Sequence, residues 1–453
     1  MKTKKENLTK NTKFNAEICD INDDGDGVAK IEGKIVFVPN ALPDEVVEGT
    51  IIYDKSKYSV GKVLKYLKKS EKRIEPECPY FSSCGGCNLQ HMPYDCQLDF
   101  KTKKVQKALQ KELKCNFTQE LVVMPCVKSK PYFYRNKIAL PVDQSGKLGL
   151  FRNNTHKVLP IQNCLINEEW VENIIKAAES YIKVSNITIY DESLNKGLLR
   201  HVVARRVGKN IIITFVINGD ALPYKEYAVS EFSKYFANFS LNFNINKTNS
   251  NLIMTDKFVN IYGSLSAQNE SEGIVYEVQN GSFYQVNDEI REKIYHLVKS
   301  RINKEDIVIE CYSGAGVLSA IISKVCKFCY GIEIVKSATQ DADKLKKTNN
   351  INNLKNINGD CAKVLPKLFE EIDAKNKQTT IVVDPPRKGL DAKVAESILS
   401  VKPNKIIYIS CNPSTLARDL KIFAKDYNIS FVQPFDMFPQ TAHVETVVEL
   451  VKI

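Results

Sequence analysis

The sequence lacks any long apolar run, and its first residues lack the apolar core of a signal peptide. The longest apolar run extends from Ile211 to Ile217, whereas a membrane-spanning helix needs about 20 residues. The beginning, MKTKKENLTKNTK, is basic and polar. We therefore expect a cytoplasmic protein that has no membrane contact and few disulfides.

The composition also lacks the bias of a disordered or fibrous chain. Of 453 residues, 43% are apolar and 26% are charged, which is the balance of a globular protein. At about 150 residues per domain, this length predicts roughly three domains. The net charge of +11 suits a polyanionic partner. Thirteen cysteines in a chain that is not exported point to metal binding or catalysis.

The first region predicts a small β-barrel, which we place at residues 11–70. Within it, residues 14–66 contain five strand patterns separated by turns rich in Asp, Gly, Pro and Asn. Five strands in so short a segment are typical of an OB-like barrel. Such barrels often bind nucleic acid, although they also serve other purposes.

The central region, residues 76–275, begins with a cysteine-rich loop and is otherwise strand-rich. It also contains a predicted helix over residues 94–114, which we expect to pack on the C-terminal domain. Residues 97–137 hold ten Lys or Arg against three acids, a net +7, with aromatic residues interleaved. This mixture suits a surface that follows nucleic-acid phosphates, but a solvated helix face is the simpler interpretation of Lys101 to Lys114.

The C-terminal region, residues 276–453, alternates apolar strands with helices. This pattern predicts a Rossmann-like α/β domain, in which helices cover both faces of a parallel sheet. The predicted strands of the sheet are IVIEC, FCYGIEI, TIVVD and KIIYIS. Ligand sites in such sheets lie at the carboxyl ends of the strands, and the motifs of this region lie at such ends.

Three strand ends predict a pocket for a nucleoside cofactor. Gly314 and Gly316 allow a tight turn after the first strand. Glu333 ends the second strand, where a carboxylate accepts hydrogen bonds from ribose hydroxyls. Asp360 follows the third strand and is a candidate partner for an adenine amino group. NAD and S-adenosylmethionine both fit, and the lack of a third glycine favours S-adenosylmethionine.

The next strand ends carry candidate reactive groups. In the motif DPPR, the prolines leave Asp384 and Arg387 facing the cleft. Cys411 precedes a predicted helix, where partial positive charge favours a thiolate, although a buried inert cysteine is the alternative. His443 and Glu445 have the spacing of one strand face that starts at the cleft, so Glu445 is a candidate general base.

Another group of candidates lies just before the first helix of the C-terminal domain. Phe283 is a candidate ring for stacking on a base, and Gln285 and Asn287 are candidate polar contacts to it. Packing within a hairpin would explain Phe283 equally well.

Together these groups match one reaction, the methylation of uracil at carbon-5. A thiolate that adds to carbon-6 activates carbon-5 toward a methyl donor, and a base then removes the carbon-5 proton. Cys411, Glu445 and the nucleoside pocket meet these three needs. Arg387 is placed to stabilise charge that develops on a uracil oxygen.

The chain resembles the bacterial 23S ribosomal RNA uracil-5-methyltransferases over nearly its whole length. Residues 14–66 are similar to the TRAM barrel of the longer family members. The resemblance implies that Cys411 is the nucleophile and Glu445 the proton acceptor. The motifs that carry it are GSFYQVN (281–287), YSGAG (312–316), GIE (331–333), NGD (358–360), DPPRKGL (384–390), SCNP (410–413) and HVE (443–445).

The resemblance also implies positions for ligand contacts. Candidate substrate contacts are Phe283, Arg387 and His443. The chain departs from common family residues at Glu310, Ser313 and Val317, which bears on the fine contacts of the cofactor. The implied S-adenosylmethionine contacts are Gln285, Tyr312, Glu333, Asp360 and Asp384.

The cysteine-rich loop has the spacing C-x5-C-x2-C, formed by Cys78, Cys84 and Cys87. Three such thiols need a fourth to hold an iron–sulfur cluster or a zinc ion. Spacing alone leaves both Cys96 and Cys164 as candidates. The resemblance selects Cys164 and a [4Fe–4S] cluster, which we expect to fold the loop and shape an RNA-binding surface.

These expectations describe a monomeric enzyme that uses S-adenosylmethionine to methylate a uridine of 23S ribosomal RNA and does not act on DNA. Transfer RNA is the alternative substrate. Ribosomal RNA is favoured, because the bacterial enzymes that methylate transfer RNA resemble only the central and catalytic parts and lack the barrel and the cysteine cluster. A non-catalytic iron–sulfur RNA-binding protein is disfavoured by the intact Cys411, Glu445 and Asp384. The radical methylthiotransferases, which also join a cluster to a TRAM barrel, need a C-x3-C-x2-C motif that the chain lacks.

Overall fold

The computed structural model describes residues 8–113, 122–373 and 377–453. No helix in these ranges is long and apolar enough to cross a membrane. The helices are α1 (Tyr94–Leu113), α2 (Trp170–Ser185), α3 (Lys225–Ser233), α4 (Asp288–Ser300), α5 (Val317–Ser323), α6 (Lys336–Thr348), α7 (Cys361–Glu371), α8 (Ala392–Val401) and α9 (Pro413–Phe423). The strands are β1 (Lys13–Glu17), β2 (Asp20–Ile21), β3 (Gly27–Ile31), β4 (Lys34–Val38), β5 (Val46–Asp54), β6 (Tyr58–Lys68), β7 (Lys137–Pro141), β8 (Gly149–Phe151), β9 (Val158–Pro160), β10 (Leu199–Val207), β11 (Asn210–Ile217), β12 (Phe239–Ile245), β13 (Phe258–Tyr262), β14 (Ser266–Ser271), β15 (Ile274–Gln279), β16 (Ile307–Cys311), β17 (Phe328–Glu333), β18 (Leu354–Asn358), β19 (Thr379–Val383), β20 (Lys405–Ser410), β21 (Tyr427–Phe435) and β22 (Glu445–Lys452).

The N-terminal strands form a sheet of six strands in the order β1-β5-β6-β4-β3-β2. The first predicted strand, FNAEICDI (14–21), is divided in the structure into β1 and the two-residue β2. The ring of Phe14 fills the core beside Gly49 and Gly61, where a Cβ atom would lie 2.4 Å and 2.6 Å from it. These two glycines therefore make room for an aromatic core residue inside the sheet.

The central sheet has five strands in the order β13-β12-β11-β10-β7. Helices α2 and α3 contribute to the core on one face of the sheet, where Tyr181 and Phe215 are fully buried. The opposite face is polar, because alternate residues of a strand point to opposite sides. There Asn280 donates hydrogen bonds to Asn242 at 2.7 Å and to Thr214 at 3.0 Å.

A hairpin of β14 and β15 joins the central sheet to the C-terminal domain. Its buried residues Ala267 and Tyr276 share one hydrophobic core with Ile290 of α4 and Val308 of β16. The predicted boundary between residues 275 and 276 falls inside β15.

The C-terminal sheet has seven strands in the order β18-β17-β16-β19-β20-β22-β21. Strands β16 to β20 are parallel, whereas β22 runs antiparallel to β20 and β21. Every residue of β16 and β19 is buried. The prediction of a parallel α/β domain is confirmed, and the structure adds an antiparallel strand pair at one edge.

Helix α1 packs on this domain. Its residues Val105, Leu109 and Leu113 share a core with Leu416 and Leu420 of α9. The predicted last helical residue, number 114, lies outside the described residues. A solvated face is the wrong interpretation for the first lysine of the basic run, because Lys101 is fully buried.

Candidate active site

The candidate site lies along the edge of the large sheet at which the parallel strands end. Glu333 closes β17, Asp384 follows β19 and Cys411 follows β20. Strand β16 lies between β17 and β19. The chain continues from β16 to β17 and β18 on one side of it and then returns to β19 on the other side, so the direction of the connections reverses at β16. A crevice opens at such a point of reversal, and ligands of α/β proteins bind there.

Cys411 and Glu445 are brought together by the register of two strands. Ser410, the last residue of β20, pairs with Thr446 of β22. Because β22 is antiparallel, its first residue, Glu445, lies at the edge where β20 ends. Cys411 and Glu445 are therefore the next positions along this pair of strands.

The surroundings of Cys411 disfavour its thiolate in the free protein. Burial raises the pKa of Cys411 to about 11, and the carboxylates of Glu445 and Asp384 contribute, whereas Arg387 opposes them. Burial and the two neighbouring acids thus oppose the effect that the helix terminus has on the thiolate. Cys411 needs a nearby base, and two carboxylates are within electrostatic reach.

The two carboxylates beside Cys411 have no hydrogen-bond donor among the described residues. Burial raises the pKa of Asp384 to about 7. Burial and the charge of Asp384 raise the pKa of Glu445 well above its ordinary value. Carboxylates left without partners in a crevice suit a cationic ligand and a proton to be removed.

The sequence predicted that His443 and Glu445 share one face of a strand. This prediction is wrong, because β22 begins only at Glu445. His443 is exposed in the preceding turn, while Glu445 is buried. The His443 ring packs edge-on against Phe438 with a centroid distance of 5.9 Å. Its Nδ1 lies 3.5 Å from Nη2 of Arg387, so both candidate substrate contacts border the same opening.

The glycine loop after β16 is a tight turn with backbone in the left-handed region. Tyr312 has φ 65°, Gly314 φ 54° and Gly316 φ 77°. A Cβ atom at Gly316 would lie 2.7 Å from Ala342 of α6, so only glycine fits there. Tyr312 is not a glycine, and its positive φ is the kind of backbone strain that clusters at ligand sites.

Glu333 closes the glycine loop from the next strand. Its carboxylate accepts hydrogen bonds from the backbone N–H of Gly314 at 3.0 Å and of Val335 at 2.8 Å. Each oxygen keeps a second lone pair, which a ribose hydroxyl can use.

Asp360 caps helix α7, where one carboxylate oxygen accepts a hydrogen bond from the Ala362 N–H at 3.0 Å. The other oxygen has no partner among the described residues and is free for a ligand. A cap role was not predicted for this residue, and it leaves the predicted adenine contact possible through the second oxygen.

Of the three residues predicted before α4, one has a purely structural environment. Asn287 is buried and caps α4, and its amide also donates hydrogen bonds to Ser129 and to the Met437 carbonyl. The prediction that it contacts a base is therefore wrong, because its side chain has no free group.

Phe283 is 84% exposed, which excludes hairpin packing as its explanation. Gln285 is partly exposed, and its carbonyl accepts a hydrogen bond from Asn136.

Asp419 is a residue that sequence patterns missed. It lies on α9 and is 1% exposed. Its Oδ2 accepts hydrogen bonds from the Leu390 N–H and from the Tyr408 hydroxyl, each at 2.7 Å. Asp419 thus ties the loop that carries Asp384 to the helix that follows Cys411.

The three departures from common family residues lie around the glycine loop. Glu310 is buried in β16, accepts a hydrogen bond from Ser319, and has its pKa raised to about 8 by burial. Ser313 is buried within the loop, and Val317 starts α5. Glu310 therefore joins β16 to α5, the helix that follows the loop.

The segment that leads to Glu445 is held from several sides by distant parts of the chain. Gln97 of α1 exchanges hydrogen bonds with Gln440, whose φ is 68°. The Asn88 side chain accepts a hydrogen bond from the Ala442 N–H at 3.0 Å. Lys104 donates to the carbonyl groups of Ala442 at 2.8 Å and Asp23 at 2.6 Å. Helix α1 and Asn88 thus contact this segment directly, and Lys104 links it to the turn between β2 and β3.

The four cysteines predicted to hold a cluster lie near one another. Burial raises the pKa of Cys87 to about 12, with contributions from Cys164, Cys84 and Cys78. Cys96 lies on α1, outside the cysteine-rich loop. The four thiols are a suitable donor set for an iron–sulfur cluster. In the described ranges, however, no three His, Cys, Asp or Glu residues are spaced to hold a metal ion.

Comparison with known proteins shows the family. A model described as tRNA (Uracil-5-)-methyltransferase matches residues 93–453, and a model of the TRAM domain matches residues 8–64. An uncharacterized RNA methyltransferase of Halalkalibacterium halodurans is 36% identical over 454 residues, with 98% of each chain covered. Another, from Staphylococcus epidermidis, is 34% identical over 457 residues, with 99% of each chain covered.

One solved structure is similar over nearly the whole chain. It is the Pyrococcus abyssi tRNA (uracil-54, C5)-methyltransferase in complex with S-adenosyl-L-homocysteine, with a TM-score of 0.79 and 26% identity. The match covers 97% of this chain and 100% of that one. The prediction of an RNA-methylating enzyme that uses S-adenosylmethionine is confirmed. The protein belongs to the tRNA (uracil-5-)-methyltransferase family and carries a TRAM domain at its N-terminal end.

Proposed function

We propose that the protein methylates carbon-5 of a uridine in 23S ribosomal RNA, with Cys411 as nucleophile and Glu445 as the base that removes the carbon-5 proton. The observation that carries this proposal is the pairing of Ser410 with Thr446, which sets Cys411 beside Glu445 at the sheet edge. A nucleophile and a base at one cleft are what the reaction requires.

The first step is addition of Cys411 to carbon-6 of the uracil ring. The thiol gives its proton to a neighbouring carboxylate, and its sulfur forms a bond to carbon-6 as the ring becomes an enolate. Arg387 lowers the pKa of Cys411 and lies at the mouth of the site, so its charge favours both the thiolate and the enolate oxygen. Carbon-5 is then nucleophilic.

S-adenosylmethionine supplies the methyl group that carbon-5 takes up. We assign its binding to Gln285, which precedes α4, and to four residues at or just after the ends of β16 to β19, namely Tyr312, Glu333, Asp360 and Asp384. The cofactor is a sulfonium cation, and the unpartnered carboxylate of Asp384 fits that charge. Glu333 holds the glycine loop and has free lone pairs for ribose hydroxyls.

The last step needs a base at carbon-5. Glu445 has no hydrogen-bond donor among the described residues, and its raised pKa makes its carboxylate a strong proton acceptor. As Glu445 takes the proton, the electrons of the carbon–hydrogen bond form the carbon-5 to carbon-6 double bond. The Cys411 sulfur leaves, and the aromatic uracil is restored with its new methyl group.

We divide the chain into three domains, residues 11–70, 76–275 and 276–453, and propose that each of them contacts the RNA. The exposed ring of Phe283 is our candidate for stacking on the target base or its neighbour. His443 is our candidate for a contact at the mouth of the site, beside Arg387. We propose that the enzyme works as a monomer in the cytoplasm.

Transfer RNA is the second candidate substrate. The Pyrococcus abyssi enzyme, which is named for a uridine of transfer RNA, matches 97% of this chain. A match of that extent includes the N-terminal region, so the presence of this region does not by itself favour ribosomal RNA. Mapping 5-methyluridine in both RNAs from a deletion strain distinguishes the two candidates. Loss of the mark from transfer RNA alone would contradict the ribosomal assignment.

We also propose that Cys78, Cys84, Cys87 and Cys164 hold a [4Fe–4S] cluster. The shared electrostatic environment of the four thiols supports this, together with the requirement of such a cluster for four ligands. The reaction needs no electron transfer, so we assign the cluster a structural role beside the RNA surface.

The mechanism is tested with RNA in which 5-fluorouridine replaces the target uridine. Because fluorine at carbon-5 cannot leave as a proton, the wild-type protein should stay covalently attached to this RNA after methyl transfer. Mass spectrometry should find the adduct on Cys411, and Cys411→Ala should form none. Cys96→Ala is the control and should be trapped as well as the wild type. Full methylation by Cys411→Ala would exclude the mechanism.

A further inference from the structure

The polar face of the central sheet carries a group of three cations beside the candidate active site. Arg205 of β10 pairs directly with Lys137 of β7 in antiparallel register, so their side chains lie on one face. Arg135 joins them, because its Nε donates a hydrogen bond to the Lys137 carbonyl at 3.1 Å. Arg205 and Arg135 thus both lie close enough to Lys137 for their charges to act on it.

None of these three cations forms an ion pair with a described carboxylate. Arg205 is only 5% exposed, and its hydrogen bond is from Nη1 to the Ser282 carbonyl at 2.9 Å. Its Nε is buried and has no hydrogen-bond partner among the described residues, and the Tyr284 ring lies 6.0 Å from its guanidinium carbon. A buried guanidinium normally has an acid beside it, because desolvated charge is costly.

The electrostatic cost of this arrangement is visible in the two buried members. Burial lowers the pKa of Lys137 to about 8, and Arg205 and Arg135 lower it further. Burial lowers the pKa of Arg205 to about 10. An anion placed between them would offset both effects, because its negative charge and its acceptor atoms would compensate the two desolvated cations.

The group lies next to the proposed substrate contacts. The carbonyl that Arg205 holds belongs to Ser282, and the next residue is the exposed Phe283. Asn136, between Arg135 and Lys137, donates its backbone N–H to the Val286 carbonyl at 2.9 Å. The cations therefore flank the loop whose ring we assign to base stacking.

We propose that Arg135, Lys137 and Arg205 form a binding site for one backbone phosphate of the RNA, next to the nucleotide that stacks on Phe283. This inference rests on the proposed function and identifies a contact that fixes the strand beside the flipped uridine. A phosphodiester accepts hydrogen bonds from a guanidinium fork and an ammonium at once. Phosphate contacts of this kind set the register of a nucleic acid and carry no base preference.

The test uses the full-length protein and the RNA that the wild type methylates, made as a transcript. Lys137→Gln removes one partly exposed charge, and Lys209→Gln is its control, because Lys209 is exposed in the turn between β10 and β11 of the same sheet. Lys137→Gln should weaken RNA binding by about tenfold and reduce the salt slope by about one. Lys209→Gln should change neither quantity.

Synthetic RNAs with one neutral methylphosphonate link near the target uridine give an independent measurement. For the wild type, neutralising one particular phosphate should cost about as much affinity as Lys137→Gln. For Lys137→Gln, the same substitution should cost little more, because the contact is already lost. Equal losses in the wild type and in Lys137→Gln at every phosphate would overturn the site.

Arg205→Met gives a readout that a purely structural role cannot. If the unpaired charge exists to bind phosphate, removing it should raise the melting temperature and at the same time weaken RNA binding. A lower melting temperature with unchanged RNA affinity would assign Arg205 to the fold and overturn the proposal.

A loss of S-adenosylmethionine affinity in Lys137→Gln, with RNA affinity unchanged, would assign the cations to the cofactor carboxylate instead. If the wild type methylates no RNA, the proposed function fails first.

Discussion

The ammonium group of Lys101 forms an ion pair with the carboxylate of Asp436, and neither side chain is exposed to solvent. Lys101 also donates a hydrogen bond to the Phe438 carbonyl at 3.0 Å, and the Tyr94 hydroxyl donates to Asp436 at 2.8 Å. This pair joins α1 to the segment that ends at Glu445. It explains why a strongly basic helix packs on the catalytic domain.

The first prediction concerns this pair. Lys101→Met should lower the free energy of unfolding by about 3–5 kcal/mol, because Asp436 is left as a buried charge without its partner. Urea unfolding measures the difference. Lys107→Met is the matched control on the same helix, since Lys107 pairs with Asp20 at the surface, where both side chains are more than half exposed. The control should unfold like the wild type, and equal losses in the two variants would contradict a special role for Lys101.

The second prediction separates the roles of Glu445 and Cys411. Glu445→Gln keeps the nucleophile but cannot take the carbon-5 proton, so ordinary RNA and S-adenosylmethionine should give a persistent covalent protein–RNA complex. Denaturing gel electrophoresis detects the complex. The double variant Cys411→Ala, Glu445→Gln should form none. Rapid turnover by Glu445→Gln would show that another group removes the proton.

The third prediction is a pH dependence of the free protein. Because the pKa of Cys411 is raised to about 11, its alkylation by iodoacetamide should still be rising with pH in the alkaline range. Glu445→Gln removes a negative neighbour and should move the profile to lower pH. Arg387→Gln removes a positive neighbour and should move it to higher pH. Peptide mass spectrometry follows the reaction, with the exposed Cys19 as the internal reference. Shifts of the opposite sign would contradict the electrostatic account.

The fourth prediction concerns Asp419 as a positioning residue. Asp419→Ala leaves the Leu390 N–H and the Tyr408 hydroxyl without their acceptor, which should cost about 3 kcal/mol. The loop that carries Asp384 should also shift, so the KM for S-adenosylmethionine should rise. Tyr408→Phe removes only one of the two hydrogen bonds, and it should cost about 1 kcal/mol with an unchanged KM. If both variants lose stability without any change in KM, Asp419 supports the fold alone.

The fifth prediction decides the fourth ligand of the cysteine loop. Protein purified without oxygen should contain iron and sulfide, and Cys164→Ser should lose most of both. Cys96→Ser should retain them, because Cys96 lies on α1 and is not one of the four proposed ligands. Iron and sulfide analysis measures the difference. Loss in Cys96→Ser with retention in Cys164→Ser would reverse the assignment, and zinc in place of iron would exclude the cluster.

Patterns in the sequence were most informative where structure is local. A helix was predicted directly after Cys411, and α9 begins at Pro413, where the Asn412 side chain accepts a hydrogen bond from the Ser414 N–H. The central parallel strands β16, β19 and β20 are almost wholly buried, so they appear as apolar runs whose ends are easy to locate. The carboxyl ends of β17 and β20 were therefore predictable, and with them the positions of Glu333 and Cys411.

Contacts between distant parts of the chain could not be predicted in this way. Lys101 and Asp436 are 335 positions apart, and a lysine in a basic helix looks like any solvated lysine. The prediction for Asn287 was wrong because its amide is used by Ser129 and Met437, two groups that no local pattern connects to it. The pKa of Cys411 depends on Glu445, which reaches it only through the pairing of β20 with β22.

The sequence alone determined the α/β domain, the order of its motifs and the family to which they belong, because each of these follows from local patterning and residue type. Only the tertiary structure decided which groups meet: Cys411 with Glu445, Lys101 with Asp436, and Arg205 with Lys137. The physical reason is that strand register and helix packing set these contacts, and both depend on the burial of the whole core. Burial also sets the charge states at the site, since it is what raises the pKa of Cys411.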